Sequence, residues 1–87
     1  MRIETTVTVW REEGHFLAHA MPLDVMSSGP TPDAARAAVA EAVRAFVDAA
    51  TRHGTLDAVL EECGYKRQGG EWVSPEWVAT ERIALSA

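Results

Sequence analysis

The alternation of hydrophobic and polar positions near the start of the chain predicts a β-hairpin. Residues 3–10 are rich in β-branched side chains and alternate, with Ile3 and Val9 on the same face. Residues 11–14 are polar, end in glycine and have the length of a hairpin connection. Residues 15–21 resume the alternation, which puts Phe16, Ala18 and Ala20 on one face and His15, Leu17 and His19 on the other. We therefore expect two half-buried antiparallel strands.

The longest periodic stretch, residues 31–54, predicts the central helix. Thr31 suits the N-cap, Pro32 suits the first helical position, and Gly54 suits a left-handed residue that ends the helix. Between them, apolar residues recur at the spacing of one helix face: Val39, Val43, Phe46, Val47 and Ala50. A short third strand, residues 23–28, is expected before the break at Gly29-Pro30.

The remaining residues predict a short helix and a final strand. Residues 55–64 read as an amphipathic helix that begins at Thr55 and stops at Gly64, and residues 71–73 as a brief extended piece. The last segment starts like a helix at Ser74-Pro75, but its apolar residues do not share a helical stripe, so we favour a strand over residues 78–85. The predicted fold class is α+β, a small three- to four-stranded, mainly antiparallel sheet (β-β-β-α-α-β) with the long helix packed on one face.

Length and composition predict one domain over residues 1–87. Hydrophobic residues make up 47% and charged residues 24% of the chain, which is ordinary for a globular protein. The chain has no apolar run long enough for a membrane span, and its start lacks the apolar core of a signal peptide, so we expect a cytoplasmic protein. The single Cys63 excludes an internal disulfide.

The net charge of −5 indicates which partners to expect. Nucleic-acid binding depends on clusters of lysine and arginine, and the only basic pair in sequence is Lys66-Arg67. Direct binding to nucleic acid is therefore not expected. An acidic surface is compatible with a basic protein partner and equally with simple solubility.

The residues that could support catalysis or metal binding do not form a recognisable constellation. A two-metal nuclease centre needs converging carboxylates, and only Glu4, Asp24 and Glu41 come into question. His15 and His19 would lie on one strand face about 13 Å apart, which is too far to share a metal. We predict a protein without catalytic residues, metal or cofactor.

The three tryptophans are the candidates for contacts with a partner. Tryptophan is enriched at binding hot spots, although the interior is the more common location for such residues. Trp10 falls on the strand face opposite Ile3 and Val9, so it is expected on the second side of the sheet or at an oligomer contact. The predicted partner or oligomer contacts are Trp10, Trp72, Val73, Trp77 and Val78.

The order of elements and three short motifs resemble the HicB-like antitoxin family. Residues 14–18, GHFLA, are similar to that family's turn and second strand, and Pro22 follows them as in the family. Residues 29–35, GPTPDAA, are similar to its G-x-T-x-x-E-A helix entry. The resemblance covers residues 3–54, and residues 55–87 look like an extension found in some relatives.

The resemblance implies a partial ribonuclease-H-like fold with a fourth strand beside the first. It also implies a non-enzymatic antitoxin of a type II toxin–antitoxin system, one that neutralises a small basic mRNA-cleaving toxin of the HicA kind and forms a homo-oligomer, a dimer or tetramer. The alternative is an orphan oligomeric interaction or regulatory module that has the fold but no toxin partner. A metal-dependent nuclease is the third and weakest hypothesis.

Overall fold

A computed structural model describes residues 2–87 and shows an α+β protein, as predicted. Along the chain the elements are β1 (Thr6–Glu12), β2 (His15–Met21), β3 (Val25–Gly29), α1 (Pro32–Arg52), α2 (Leu56–Glu62), β4 (Lys66–Gln68) and β5 (Glu71–Val73). Strands β1, β2 and β3 form an antiparallel sheet in that order, and β4 pairs antiparallel with β5. The long helix α1 packs on one face of the three-stranded sheet.

The β1–β2 hairpin turns on two residues. Glu12 pairs with His15, which leaves Glu13 and Gly14 as the loop. Both loop residues have positive φ, 50° and 81°, as in the two-residue turns whose twist matches that of paired strands. The strand is therefore displaced toward the turn relative to the prediction for residues 3–10, because the tight turn lets pairing continue to Glu12.

The predicted signals at both ends of α1 are confirmed. The Thr31 hydroxyl accepts a hydrogen bond from the backbone N–H of Ala34 at 3.0 Å, and Pro32 is the first helical residue. At the other end His53 is the C-cap, and Gly54 follows with φ of 69°. These local interactions fix the length of the helix that covers the sheet.

The N-terminal half of α1 lies against the sheet through small side chains. We call this the alanine cluster: Ala18 and Ala20 of β2 with Ala35 and Val39 of α1, all fully buried. Gly29 permits the close approach, since a Cβ atom there would lie 2.8 Å from the backbone nitrogen of Ala35. The glycine thus serves the contact between helix and strand, whereas the sequence suggested only a sharp turn.

The C-terminal half of α1 takes part in a second cluster with larger side chains. We call it the aromatic cluster, and its buried members are Leu23, Ala50, Leu56, Leu60, Tyr65 and Trp72. Helix α2 contributes Leu56 and Leu60 and ends before Gly64, whose φ is 96°. Thr55 is the N-cap of α2, at the predicted start of the helix, but its hydroxyl donates to the Ala50 carbonyl at 3.4 Å and makes no capping hydrogen bond to α2.

The predicted strand over residues 78–85 is wrong. Residues 74–87 contain no helix or strand, and Val78, Ile83 and Leu85 are 78% to 89% exposed. Pro75 has no backbone N–H, so it interrupts ladder pairing directly after β5. The extended piece over residues 71–73 is confirmed as β5, and its Trp72 forms a single parallel bridge with Ile3, just before β1.

Candidate protein-binding surface

On the face of the three-stranded sheet turned away from α1, apolar and aromatic side chains lie among polar ones, Thr6, Thr8, Glu12, His15 and Ser28. The strand register sets Trp10 opposite Leu17 and His19 opposite Met26, and directly opposed residues share a face. We call this surface the open face, consisting of Trp10, Leu17, His19, Met21 and Met26. Met26 is 52% exposed and the other four are half-buried. None of the five belongs to either hydrophobic cluster.

The sequence of β2 explains the apolar side chains on this face. The strand carries Ala18 and Ala20 toward α1, and Leu17 and Met21 alternate with them on the opposite side. The strand thus carries apolar residues on both faces, with His15 and His19 beside Leu17 and Met21 on the open side. Helix α1 covers one side only, so the second side is available to a partner.

Two polar contacts fix the side chains at the centre of the open face. His19 Nε2 lies 2.6 Å from Asp24 Oδ1, and its N–H donates a hydrogen bond to this carboxylate. The Trp10 and His19 rings meet edge to face at 85°, with centroids 6.4 Å apart. Trp10 Nε1 also donates to Glu12 Oε2 at 3.2 Å. The aromatic group is therefore preordered, which lowers the entropic cost of binding.

The border of the open face is acidic. The carboxylates of Glu12 and Asp24 lie next to its aromatic rings, and the Asp24 side chain is 79% exposed. Asp24 has φ of 61° in the short loop after Leu23, which is buried at 6% exposure. In this loop Leu23 therefore packs into the interior, and the carboxylate of Asp24 faces solvent. An apolar centre with an acidic border suits a basic protein surface.

The five residues predicted as contacts lie in different parts of the fold. Trp10 is on the open face, as expected from the strand alternation. Trp77 and Val78 are exposed, at 44% and 89%, in the segment after β5. Val73 is half-buried at the end of β5.

The prediction of Trp72 as a partner contact is wrong. Its side chain is 2% exposed in the aromatic cluster, and the Arg67 guanidinium lies 4.9 Å from its ring centroid. The other members of the aromatic cluster and Arg67 of β4 cover the ring.

Sequence reasoning missed most of the open face. Leu17 and His19 were assigned to the correct side of β2, but their juxtaposition with Met26 depends on the register between β2 and β3. The contact with Asp24 depends on the conformation of the loop. The useful signal was the apolar character of β2 on both faces, which predicts more surface than one helix can cover.

The Tyr65 hydroxyl has a shifted pKa and a structural role. Tyr65 is 3% exposed, and its hydroxyl donates to the backbone carbonyl of Glu4 at 2.5 Å. Burial, with smaller contributions from the nearby Cys63 and Glu4, raises the pKa of Tyr65 to about 12. This side chain ties the segment before β1 to the residue that follows α2.

Within residues 2–87, no group of three or more His, Cys, Asp or Glu side chains is arranged to hold a metal ion. The carboxylates considered for a nuclease centre, Glu4, Asp24 and Glu41, belong respectively to the segment before β1, the loop before β3 and α1. The same part of the chain contains no helix with the length and apolar character of a membrane span.

Comparisons of the chain with protein-family models, with curated proteins and with solved structures found no match.

Proposed function

We propose that this chain is a non-enzymatic, antitoxin-like binding protein that neutralises a small basic mRNA-cleaving toxin of the HicA kind. The observation that carries the proposal is the open face, a group of apolar and aromatic side chains beside the carboxylates of Glu12 and Asp24, on a sheet whose other side is covered by α1. The HicB-like motifs at residues 14–18 and 29–35 support it from the sequence.

The chemistry of such a toxin explains why this surface would inhibit it. A protein that cleaves mRNA binds phosphates, so its active surface carries lysine and arginine. Glu12 and Asp24 would pair with those cations, while Trp10 and Met26 would exclude water from the centre of the contact. The net charge of −5 would favour the encounter over long range.

The proposal includes two further properties. The complex would form in the cytoplasm, since the toxin acts on mRNA there. The chain would act as a homo-oligomer, a dimer or tetramer, because a domain of this size buries a limited share of its surface alone.

A second candidate is an orphan interaction module that self-associates and has no toxin partner. The exposed apolar residues after β5, Val78, Ile83 and Leu85, favour it, since they provide a surface for self-association that involves no toxin. The two candidates differ in what occupies the open face.

Affinity capture of the tagged full-length chain from its native lysate, followed by mass spectrometry, tests the proposal. We expect a small basic protein in a defined ratio, and we expect the purified chain to inhibit RNA cleavage by that protein. Met26→Arg should abolish both, because it adds a cation to the surface that meets the toxin.

Ala37→Arg is the matched control, since Ala37 is exposed on α1, which covers the opposite face of the sheet. It makes the same charge change and should leave capture and inhibition intact. Equal losses with both variants would show general electrostatic attraction and contradict the open face as the site. Recovery of the chain by itself would favour the orphan module.

A further inference from the structure

The segment after β5 extends away from the rest of the protein. Residues 74–87 are almost entirely exposed and contain no helix or strand. The radius of gyration is 14.8 Å, whereas a compact domain of this length should have about 12 Å. In an extended conformation residues 78–85 nevertheless alternate like a strand, with Ile83 and Leu85 on one face together with Glu81. The segment therefore lacks a strand to pair with.

An unfilled groove lies between α1 and the segment before β1. We call it the α1 groove, and it is lined by Ile3, Ala40, Val43, Arg44 and Val47, with a volume of about 340 Å³. Strand β1 is the edge of its sheet, and Val7 on its helix-facing side is 39% exposed. A strand added along β1 would cover Val7 and direct alternate side chains into the groove.

We propose that residues 78–85 of a second copy of this chain add as a strand to the outer edge of β1, with Ile83 and Leu85 in the α1 groove. The exchange is reciprocal, so each protomer gives one segment and receives one, as a two-fold dimer requires. The backbone groups along the edge of β1 and the exposed apolar side chains of the segment are then both satisfied.

Charge supports this occupant. Glu81 shares the face of Ile83 and Leu85, so it enters the groove with them. Arg44 is exposed in the groove and forms no ion pair within residues 2–87. A carboxylate on the incoming strand and a guanidinium on the groove wall are complementary, and their pairing would set the register.

Within its own chain the segment does not pair with this edge. Trp72 bridges Ile3 in the segment before β1, and β5 ends at Val73. Residues 74–87 form no strand beyond it. The inference rests on the homo-oligomer in the proposed function and is independent of toxin binding, because the groove and the open face lie on opposite sides of the sheet.

Light scattering and sedimentation of the full-length chain over a range of concentrations provide the first test. We expect a dimer, and Ile83→Asp should raise its dissociation constant at least about tenfold, since it would bury a carboxylate among apolar groups. Ala84→Asp introduces the same group on the other face of the strand and should leave the dimer unchanged. Apart from the loss of the added strand in Ile83→Asp, circular dichroism should be the same for both variants, because neither residue belongs to the core.

A charge exchange tests the pairing itself. Arg44→Glu and Glu81→Arg should each raise the dissociation constant of the homodimer about tenfold. In each variant the side chains at positions 44 and 81 carry the same charge, and they meet in both grooves of the dimer. An equimolar mixture of these two variants should form a heterodimer as stable as the wild-type dimer. Each groove then receives a segment of opposite charge, which a segment held within its own chain could not provide.

The possible failures are distinguishable. A chain that is monomeric at every concentration overturns the exchange and the homo-oligomer of the proposed function together, while the capture experiment still tests toxin binding. A dimer unaffected by Ile83→Asp, or variants that do not recover on mixing, overturn the exchange alone. Slow amide hydrogen exchange at residues 78–85 in the dimer and fast exchange in the Ile83→Asp monomer would support it.

Discussion

The two hydrophobic clusters along α1 are built from different side chains and tolerate different changes. The alanine cluster contains nothing larger than valine, so the backbones of helix and sheet approach closely. The aromatic cluster joins the same helix to α2 and the β4–β5 hairpin through larger groups such as Leu60 and Trp72. We therefore expect the free energy of unfolding to fall when atoms are added to the alanine cluster and when atoms are removed from the aromatic cluster.

The largest effect is expected from removing atoms in the aromatic cluster. Leu60 is fully buried, so Leu60→Ala should lower the free energy of unfolding by about 2 to 5 kcal/mol through lost burial and the cavity it leaves. Urea denaturation measures this. Met26→Ala on the open face is the control and should change stability by less than about 0.5 kcal/mol. A similar loss for both variants would show that the cluster is not the better packed region.

Adding atoms to the alanine cluster should cost somewhat less. Ala18→Leu inserts three carbons between β2 and α1 at a fully buried position, and overpacking of this kind costs about 1 to 3 kcal/mol. Ala37→Leu makes the same change on the exposed side of α1 and should be nearly neutral. If Ala18→Leu stabilised the protein in thermal denaturation, the close approach of helix and sheet would be contradicted.

A single methyl group tests the closest contact in the alanine cluster. The Cβ of Gly29→Ala would meet the Ala35 nitrogen at 2.8 Å and the Ala34 Cβ at 2.9 Å, so the start of α1 must shift. We expect a loss of about 1 to 2 kcal/mol in the free energy of unfolding. Gly70→Ala meets nothing within 4 Å, and a comparable loss there would point to a backbone cause and not to the contact.

The same comparison shows how much of the fold could be predicted from the sequence. The N-terminal half depends on local signals: the Glu13-Gly14 turn, the Thr31 cap and the stripe that includes Val39. These interactions act between residues close in sequence, so the pattern identifies them. The α+β class follows from them.

The aromatic cluster could not be predicted in this way, because distant residues build it. The Tyr65 hydroxyl reaches the Glu4 carbonyl, and Trp72 pairs with Ile3. Nothing local in residues 71–73 indicates that Trp72 is covered by α2. The strand expected over residues 78–85 is absent for the same reason, since an alternating pattern forms a strand only when it pairs with another strand, and this segment pairs with none in its own chain.

The candidate site was predicted in part. Alternation in β1 assigned Trp10 to the side away from Val9, and alternation in β2 assigned His19 to the same side as Leu17. The approach of Asp24 to His19 depends on a residue with positive φ in a three-residue loop, which no periodicity encodes. Strand faces can thus be read from sequence, whereas a site that spans strands and loops also needs the register.

The smallest change in the free energy of unfolding at neutral pH is expected from Tyr65→Phe in the aromatic cluster. The sign of this change depends on pH. Tyr65→Phe removes the hydrogen bond to the Glu4 carbonyl and should cost about 1 kcal/mol at pH 7. The folded-state pKa of Tyr65 is raised to about 12 from 10.0. The raised pKa means that folding favours the neutral hydroxyl. The contribution of this hydroxyl to the free energy of unfolding is therefore fully present below pH 10 and is lost as the pH rises toward 12.

Urea denaturation of both proteins between pH 8 and 12 would measure this loss. Above pH 10 the unfolded tyrosine ionises first, so the stability of the wild type relative to Tyr65→Phe should fall by about 1 kcal/mol per pH unit. The variant should become the more stable protein as the pH approaches 12. Other groups titrate equally in both proteins and cancel. A stability difference that stays constant over this range would show that Tyr65 ionises in the folded protein as readily as in water, and the aromatic cluster would then be open to solvent at its polar edge.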